Sequence, residues 1–178
     1  HTKRESKMNF FLNPQECHEH SLETLEILNR YQDFMDNIKT VADMGCGLGL
    51  DAAWWANLIR EQTDSPRNIQ VNAVDLALDP IRNIQHPNIQ YHSVDFSQTG
   101  LAPNSQNLIW AHNSFQFSLN PLNTLSHWHS LLTDEGMLVV TVPYNFYVNT
   151  HNETSTASTV YGNGSYFNWT LGNLIMSL

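Results

Sequence analysis

The chain has 178 residues, 41 % hydrophobic and 14 % charged, with a net charge of −9. That length suffices for one domain with a sizeable core, and the composition is that of a soluble globular protein. With 8 Lys and Arg against 17 Asp and Glu, it is a poor binder of phosphate backbones, which argues against DNA or RNA as a partner.

No stretch is long and apolar enough to span a membrane. His1–Lys7 is not followed by the apolar core of a signal peptide, so residues 1–7 read as a tag or disordered lead before Met8, and the expected location is cytoplasmic. The two cysteines, Cys17 and Cys46, read as free thiols in a reducing compartment. The N-x-S/T triplets at Asn152, Asn163 and Asn168 carry little weight without a secretory signal. A single domain over 1–178 is expected.

Asn9 to Gln15 reads as a loop around Pro14. Leu22, Leu25, Leu28, Tyr31, Met35 and Ile38 then recur at helical spacing, which predicts one amphipathic helix from Ser21 into the first strand. His18 and His20, just ahead of it, read as solvated loop residues, the sharper alternative being a lid over a substrate pocket. Val41 to Met44 is a short apolar run fit for a buried strand. Glycines follow at alternate positions, Gly45, Gly47 and Gly49, and Ala52–Ile59 is a strongly apolar helix-forming run that reaches to about Arg60. The pattern is strand, glycine turn, helix. Such glycines allow a tight turn or let a ligand approach without a Cβ in the way, and the helix aims its free N–H groups at whatever sits over the turn. A dinucleotide fold wants G-x-G-x-x-G, but here the third glycine comes one residue early. Asp43 stands two residues before the first glycine. A carboxylate there repels a pyrophosphate but suits a ligand carrying an amino group and a sulfonium.

Asp43-x-Gly45-x-Gly47-x-Gly49 resembles motif I, acid-x-G-x-G-x-G, of the class I S-adenosylmethionine (SAM) dependent methyltransferases. The resemblance implies an α/β fold: a doubly wound, mostly parallel sheet of order 3-2-1-4-5 with helices on both faces. It implies SAM as cofactor, S-adenosylhomocysteine (SAH) as product, and a cofactor cradle formed by Asp43, Gly45, Cys46, Gly47, Leu48 and Gly49. Many members also carry a helix before motif I that can cover the cofactor.

Glu61–Arg67 is a turn, and Ile69–Val74 a second strand ending at Asp75. An acid at the end of strand two accepts ribose hydroxyls in Rossmann-type sheets, which assigns Asp75, with Leu76 beside it, to the cofactor. The plainer role for Asp75, a helix N-cap, is weaker because Asp79-Pro80 offers a better helix start. A short helix is expected over Pro80–Gln85, a turn at His86–Asn88 and a third strand over Ile89–Val94. The resemblance implies that Asp95 accepts a hydrogen bond from the adenine amino group and that the Phe96 N–H reaches the ring, the alternative for Asp95 being a turn residue.

After a loop from Gly100 to Asn107, Leu108–Ala111 is the fourth strand. Ligands of open α/β sheets sit outside the carboxyl ends of the strands, so His112 and Asn113 stand at the mouth of the site. Family members often place substrate-facing or catalytic groups there. Ala111 and His112 are therefore assigned to the cofactor's surroundings, and His112 is the candidate general base. Asn120-Pro121 opens a helix to about Leu132. His127 and His129 are two apart, on different faces of that helix, so they cannot share an ion, and no metal is expected. Thr133–Gly136 is a turn, and Met137–Val142 a continuous apolar run for a buried fifth strand.

Pro143-Tyr144 is only a partial match, after the wrong strand, to the motif of DNA adenine methyltransferases, and no role is carried over. Asn145–Asn168 is polar and dotted with aromatics, and too long for an ordinary loop, so 145–168 reads as a substrate-facing lid or mobile segment. Thr170–Leu178 begins an amphipathic helix with no C-cap. The resemblance implies one more helix-strand unit and a final antiparallel strand, so a truncated version of the fold is expected. The implied reaction is methyl transfer to an acceptor. Acidity and the aromatics Phe115, Phe117, Tyr144, Phe146 and Tyr147 lean toward a small-molecule acceptor. The alternatives are a SAM-binding module or fragment without catalysis and, against the glycine spacing and Asp43, an NAD-type oxidoreductase.

Overall fold

The computed structural model describes residues 14–28, 30–60, 65–79 and 83–142. The expectations for residues 1–7, for Pro143-Tyr144, for the 145–168 segment and for the Thr170–Leu178 helix lie outside the described residues.

The chain opens on helix α1 (Pro14–Leu28). Pro14, expected in a loop, is its first residue, where a proline's missing N–H has no helical partner to lose. The single helix expected from Ser21 onward is two helices. The Arg30 and Tyr31 N–H groups donate to the Ile27 and Leu28 carbonyls, and the chain re-enters as α2 (Gln32–Asn37). The break redirects the apolar side chains: Leu25, Leu28, Met35 and Ile38 are buried, whereas Leu22 and Tyr31 are exposed. Next come β1 (Thr40–Met44), the glycine turn and α3 (Leu50–Ala56). α3 stops short of Arg60: Asn57 leaves helical geometry at φ −94° and ψ 2°, and the next N–H, of Leu58, reaches only the Trp55 carbonyl, three residues back. Ile59–Arg60 instead forms β2, paired antiparallel with β3 (Ser65–Pro66).

β4 (Gln70–Asp75) and β5 (Ile89–Ser93) follow. Of the short helix expected over Pro80–Gln85, residues 80–82 are not described and 83–85 are not helical. β6 (Gln106–His112) leads through a 3-10 turn, Phe115–Phe117, to α4 (Pro121–Leu131). Asn120 caps α4 by accepting the Asn123 N–H at 3.2 Å, with Pro121 at the first helical position. β7 (Leu132–Thr141) absorbs the turn expected at Thr133–Gly136. Gln106 lies opposite Leu132 and Leu108 opposite Met137, so Thr133–Gly136 bulges out against Asn107 alone.

Five strands form one parallel sheet in the order β5-β4-β1-β6-β7. This is the expected 3-2-1-4-5 order, and the chain reverses direction across the sheet between β1 and β6, which opens a crevice at their carboxyl ends. On one face Val41, Val71, Leu108 and Trp110 pack with Trp55 of α3 and Leu25 and Leu28 of α1. On the other, Ala42, Met44, Val74 and Ile109 pack with Trp128 and Leu131 of α4. Trp55, Trp110 and Trp128 are wholly buried. At roughly 25 cal/mol per Å², an indole burying about 200 Å² contributes on the order of 5 kcal/mol before entropy is counted. No helix among the described residues is long and apolar enough to cross a membrane.

Candidate functional site

The glycine turn is fastened to β4. The Gly45 and Cys46 N–H groups both donate to the Val74 carbonyl, at 2.7 and 3.0 Å. Gly45 has φ +80°, and a Cβ there would collide with the Cβ of Ser114, whose hydroxyl donates to the Met44 carbonyl. The first glycine therefore lets the segment after β6 press on the turn. Gly47 differs: at φ +53° its missing Cβ faces open space, with no atom within 4 Å. Its N–H donates to Asp75 Oδ2 at 2.9 Å, while Asp75 Oδ1 accepts the Ala77 N–H at 2.9 Å. Asp75 thus serves a local turn and also reaches the open glycine.

Asp43 lies beneath the turn and is 3 % exposed. Burial, then the charges of Asp51 and Asp75, hold its carboxyl well above the usual carboxylate range, against a lowering contribution from the Ala52 N–H. Its Oδ2 is buried with no hydrogen-bond partner among the described residues. The same surroundings act on Cys46, where burial followed by Asp43 and Asp75 pushes the thiol far up. A thiol held up in this way stays in its protonated, weakly nucleophilic form at neutral pH.

Several residues of this constellation carried no readable signal in the sequence. Asp51, in the first turn of α3, accepts the Ser21 hydroxyl at 2.7 Å on Oδ1 and the Trp110 indole N–H at 2.8 Å on Oδ2. It joins α1, α3 and β6 under the turn. Asn83 donates its amide to the Gly47 carbonyl at 2.8 Å, and its Oδ1 accepts the Asp79 N–H at 2.5 Å. The Ile84 N–H donates to the Leu48 carbonyl at 3.2 Å, and Tyr91 Oη donates to the Ile84 carbonyl at 2.7 Å. Burial first of all pushes the Tyr91 hydroxyl up to about 12. An Asn in a loop is no signal by itself, and the alternation of β5 is the one hint that Tyr91 faces inward.

The other nominated residues come from the neighbouring strands. Asp75 pairs with Ser93, which brings the Asp95-Phe96 segment beside it. Asp95 is exposed and its Oδ1 accepts the Ser97 N–H at 2.8 Å, so the turn role foreseen as its alternative is present. Phe96 is half-buried against Trp128, ring centroids 5.7 Å apart. Asp43 pairs with Trp110, which sets Ala111 and His112 beside Met44 and Gly45. The Ala111 side chain lies in the core. His112 stacks on Trp110 with centroids 6.1 Å apart and planes 16° from parallel. Asn113 adopts φ +51° as the chain leaves β6, and its N–H donates to the Thr141 carbonyl at 3.0 Å. Leu76 is 69 % exposed at the rim.

Four adjacent strands thus bring the nominated residues to one edge of the sheet. His127 is half-buried and His129 exposed on α4. Among the described residues, no three His, Cys, Asp or Glu gather as a metal site. The side chains of His18 and His20, although their backbone is helical, lie outside the described residues. Chemically, the edge offers a buried carboxyl oxygen with no partner among the described residues, suited to a cation, a glycine that admits close approach, and an acid for hydroxyl groups.

The family model described as a methyltransferase domain matches residues 42–140. Trans-aconitate 2-methyltransferase of Escherichia coli O139:H28 is 29 % identical over 133 residues, which are 75 % of this chain and 50 % of that protein. The chain spans about half the length of the curated relatives it matches. Among solved structures, Burkholderia thailandensis 1,6-didemethyltoxoflavin-N1-methyltransferase, with bound 1,6-didemethyltoxoflavin and SAH, superposes with a TM-score of 0.53 at 17 % identity, covering 67 % of this chain and 50 % of that one. A chain from the complex that the Haloferax volcanii Trm112 methyltransferase activator forms superposes with a TM-score of 0.61 at 15 % identity, covering 92 % of this chain and 73 % of that one. At these identities the structural likeness carries the fold alone.

Proposed function

The chain belongs to the methyltransferase domain family, and from that membership we propose that it transfers the methyl group of SAM to a small-molecule acceptor. The observation that carries the reading is Asp43 Oδ2, a buried carboxylate oxygen lacking a partner among the described residues beside the glycine turn. Burial of such an oxygen is costly unless a donor or cation meets it, and an ammonium is the cation a methionine moiety offers. The open side of Gly47 and the adjacent Asp75 fit a nucleoside approaching the same edge. The residues present therefore fit SAM.

When bound, the cofactor supplies a methyl group already activated on a sulfonium, so the chain needs no covalent catalyst. Asp43 would hold the ammonium, Gly45, Cys46, Gly47, Leu48 and Gly49 the turn that cradles it, and Asp75 with Leu76 the ribose. Asp95 and the Phe96 N–H would hold the adenine, with Ala111 and His112 on the opposite side. Holding two reactants in line is worth about 7–11 kcal/mol of barrier. His112, at the carboxyl end of β6, is the group proposed to take a proton from the acceptor where one must leave.

A small-molecule acceptor is supported by the names of the relatives above, which specify trans-aconitate and 1,6-didemethyltoxoflavin. The net charge of −9 supports it from the other direction, since it disfavours a polyanionic substrate.

The test is calorimetric titration with SAH, with NAD as control, followed by transfer of labelled methyl from SAM to a panel of small carboxylates, amines and thiols. Saturable SAH binding with NAD silent, and label on one acceptor class, is the expected result. Binding without turnover on any acceptor would overturn the transfer reading and leave the cofactor reading standing. NAD binding in place of SAH would overturn both.

A further inference from the structure

The segment that follows β5 is gripped from α4 by two consecutive side chains. Trp128 donates its indole N–H to the Phe96 carbonyl at 2.8 Å, and its ring lies against that of Phe96. His127 Nε2 accepts the backbone N–H of Thr99 at 3.1 Å and lies 3.0 Å from the Thr99 hydroxyl. That hydroxyl in turn accepts the Leu101 N–H at 3.2 Å. Thr99 is only 6 % exposed, so these are not surface contacts. Within the segment, Asp95 receives the Ser97 N–H on Oδ1 and the Gln98 N–H on its carbonyl. Within the connection from β5 to β6, the stretch from Phe96 to Thr99 is thereby held at both of its ends.

A ring nitrogen accepts a hydrogen bond only when it carries no proton. The Thr99 N–H therefore assigns His127 to the neutral form with its proton on Nδ1. Resting on the assignment of Asp95 and Phe96 to the adenine, we infer that His127 is a positioning residue for cofactor selectivity: through Nε2 it fixes Thr99, and with it the Asp95 carboxylate, where the adenine amino group is read. Protonation would turn Nε2 into a donor, which forfeits the bond from the Thr99 N–H and leaves the Thr99 hydroxyl as its remaining partner in the segment. Asp95 and, on the elements packed about His127, His129 of α4 and Asp134 and Glu135 of β7 are all exposed. Burial of His127 itself lowers its pKa from the ordinary value, which favours the neutral form.

The measurement is a ratio: the affinity of the chain for SAH divided by its affinity for S-inosylhomocysteine, whose purine carries an oxygen in place of the amino group. The ratio cancels changes at Asp43 and at the glycine turn, because both ligands share the ribose and the amino acid. At pH 8 the wild type is expected to prefer SAH by about tenfold or more. The preference should be smaller at pH 5, in proportion to the fraction of His127 protonated there, and in His127→Leu it should be small at both values. His127→Gln offers an amide oxygen to the Thr99 N–H and does not titrate, so it should keep the preference at both. A merely structural role would move stability and leave the ratio alone. The wild-type titration needs no variant, so it decides the matter even if His127→Leu fails to fold. A wild-type ratio that is independent of pH, or a ratio unchanged in folded His127→Leu, overturns the inference. A wild type that binds neither ligand overturns the cofactor reading itself and this inference with it.

Discussion

Gly47 gives its N–H to Asp75 Oδ2 at 2.9 Å, so the open glycine of the turn and the acid that ends β4 form one unit. Asp75 also holds the Ala77 N–H. Replacing it by alanine removes an acceptor for two backbone donors together with the proposed ribose ligand. Hydrogen bonds to a charged group contribute about 1.5–3 kcal/mol each. Asp75→Ala should therefore weaken SAH binding by about a hundredfold, and Asp75→Asn by less, because its amide oxygen still accepts one N–H. Calorimetry checks this, and a change under about threefold in the alanine variant would remove Asp75 from the site.

The turn's first two glycines should separate folding from binding. Gly47→Ala places a methyl group in open space, so its structural penalty is the left-handed φ alone, about 1–2 kcal/mol. Its melting temperature should fall by a few degrees while SAH binding is lost out of all proportion. Gly45→Ala carries a similar φ penalty and drives its methyl into Ser114, so it should cost about 3 kcal/mol or more and lower the melting temperature steeply. Thermal melts paired with SAH titrations read both effects. If Gly45→Ala proved the milder for stability, or Gly47→Ala bound SAH normally, the roles given to the two glycines would be wrong.

The order of the sheet was legible because it needed little: five strand-length runs, apolar or alternating, and one glycine motif that set the register for Asp75. The positions of Asp95 and His112 followed from that register. What escaped were partnerships between residues far apart in the chain. No pattern links Ser21 and Trp110 to Asp51, or Asn83 to Gly47, since each is a single polar residue whose partner is chosen only once the strands are in place. The break between α1 and α2 escaped because the apolar spacing runs on through Tyr31, although the chain must turn for Met35 and Ile38 to reach the core. Thr133–Gly136 has turn chemistry, and the same residues serve a bulge equally well.

Asp51 should matter more for stability than its partial exposure suggests. Its two oxygens receive the Ser21 hydroxyl and the Trp110 indole N–H, and both Ser21 and Trp110 are wholly buried. Asp51→Ala takes that acceptor from both at once, with an expected loss of about 2–4 kcal/mol. Asp51→Asn retains one acceptor oxygen and should lose less. Urea unfolding measures the difference, and an alanine variant within about 0.5 kcal/mol of wild type would show that α1 does not depend on this contact.

Asp43 makes a prediction whose sign is fixed by its surroundings. Burial, then Asp51 and Asp75, raise its carboxyl above the ordinary value, so the folded chain holds this proton at a pH where the unfolded chain has lost it. From about pH 4 upward, its contribution to stability falls as pH rises, until the folded pKa is passed. A ligand ammonium favours the carboxylate instead. SAH binding should expel the proton, and affinity should rise with pH up to the folded pKa of Asp43. At a pH below the folded pKa of Asp43, titrations in two buffers of different ionisation enthalpy should give different heats, the difference reporting proton release. Asp43→Asn keeps the shape but has no proton to lose. Its heats should agree between buffers, its affinity for SAH should fall by about tenfold or more, and its melting temperature should fall less than that of wild type as the pH rises above about 4, since it has no proton to lose. Equal heats for wild type in both buffers would mean that no proton leaves on binding, and the ammonium would have to be placed elsewhere.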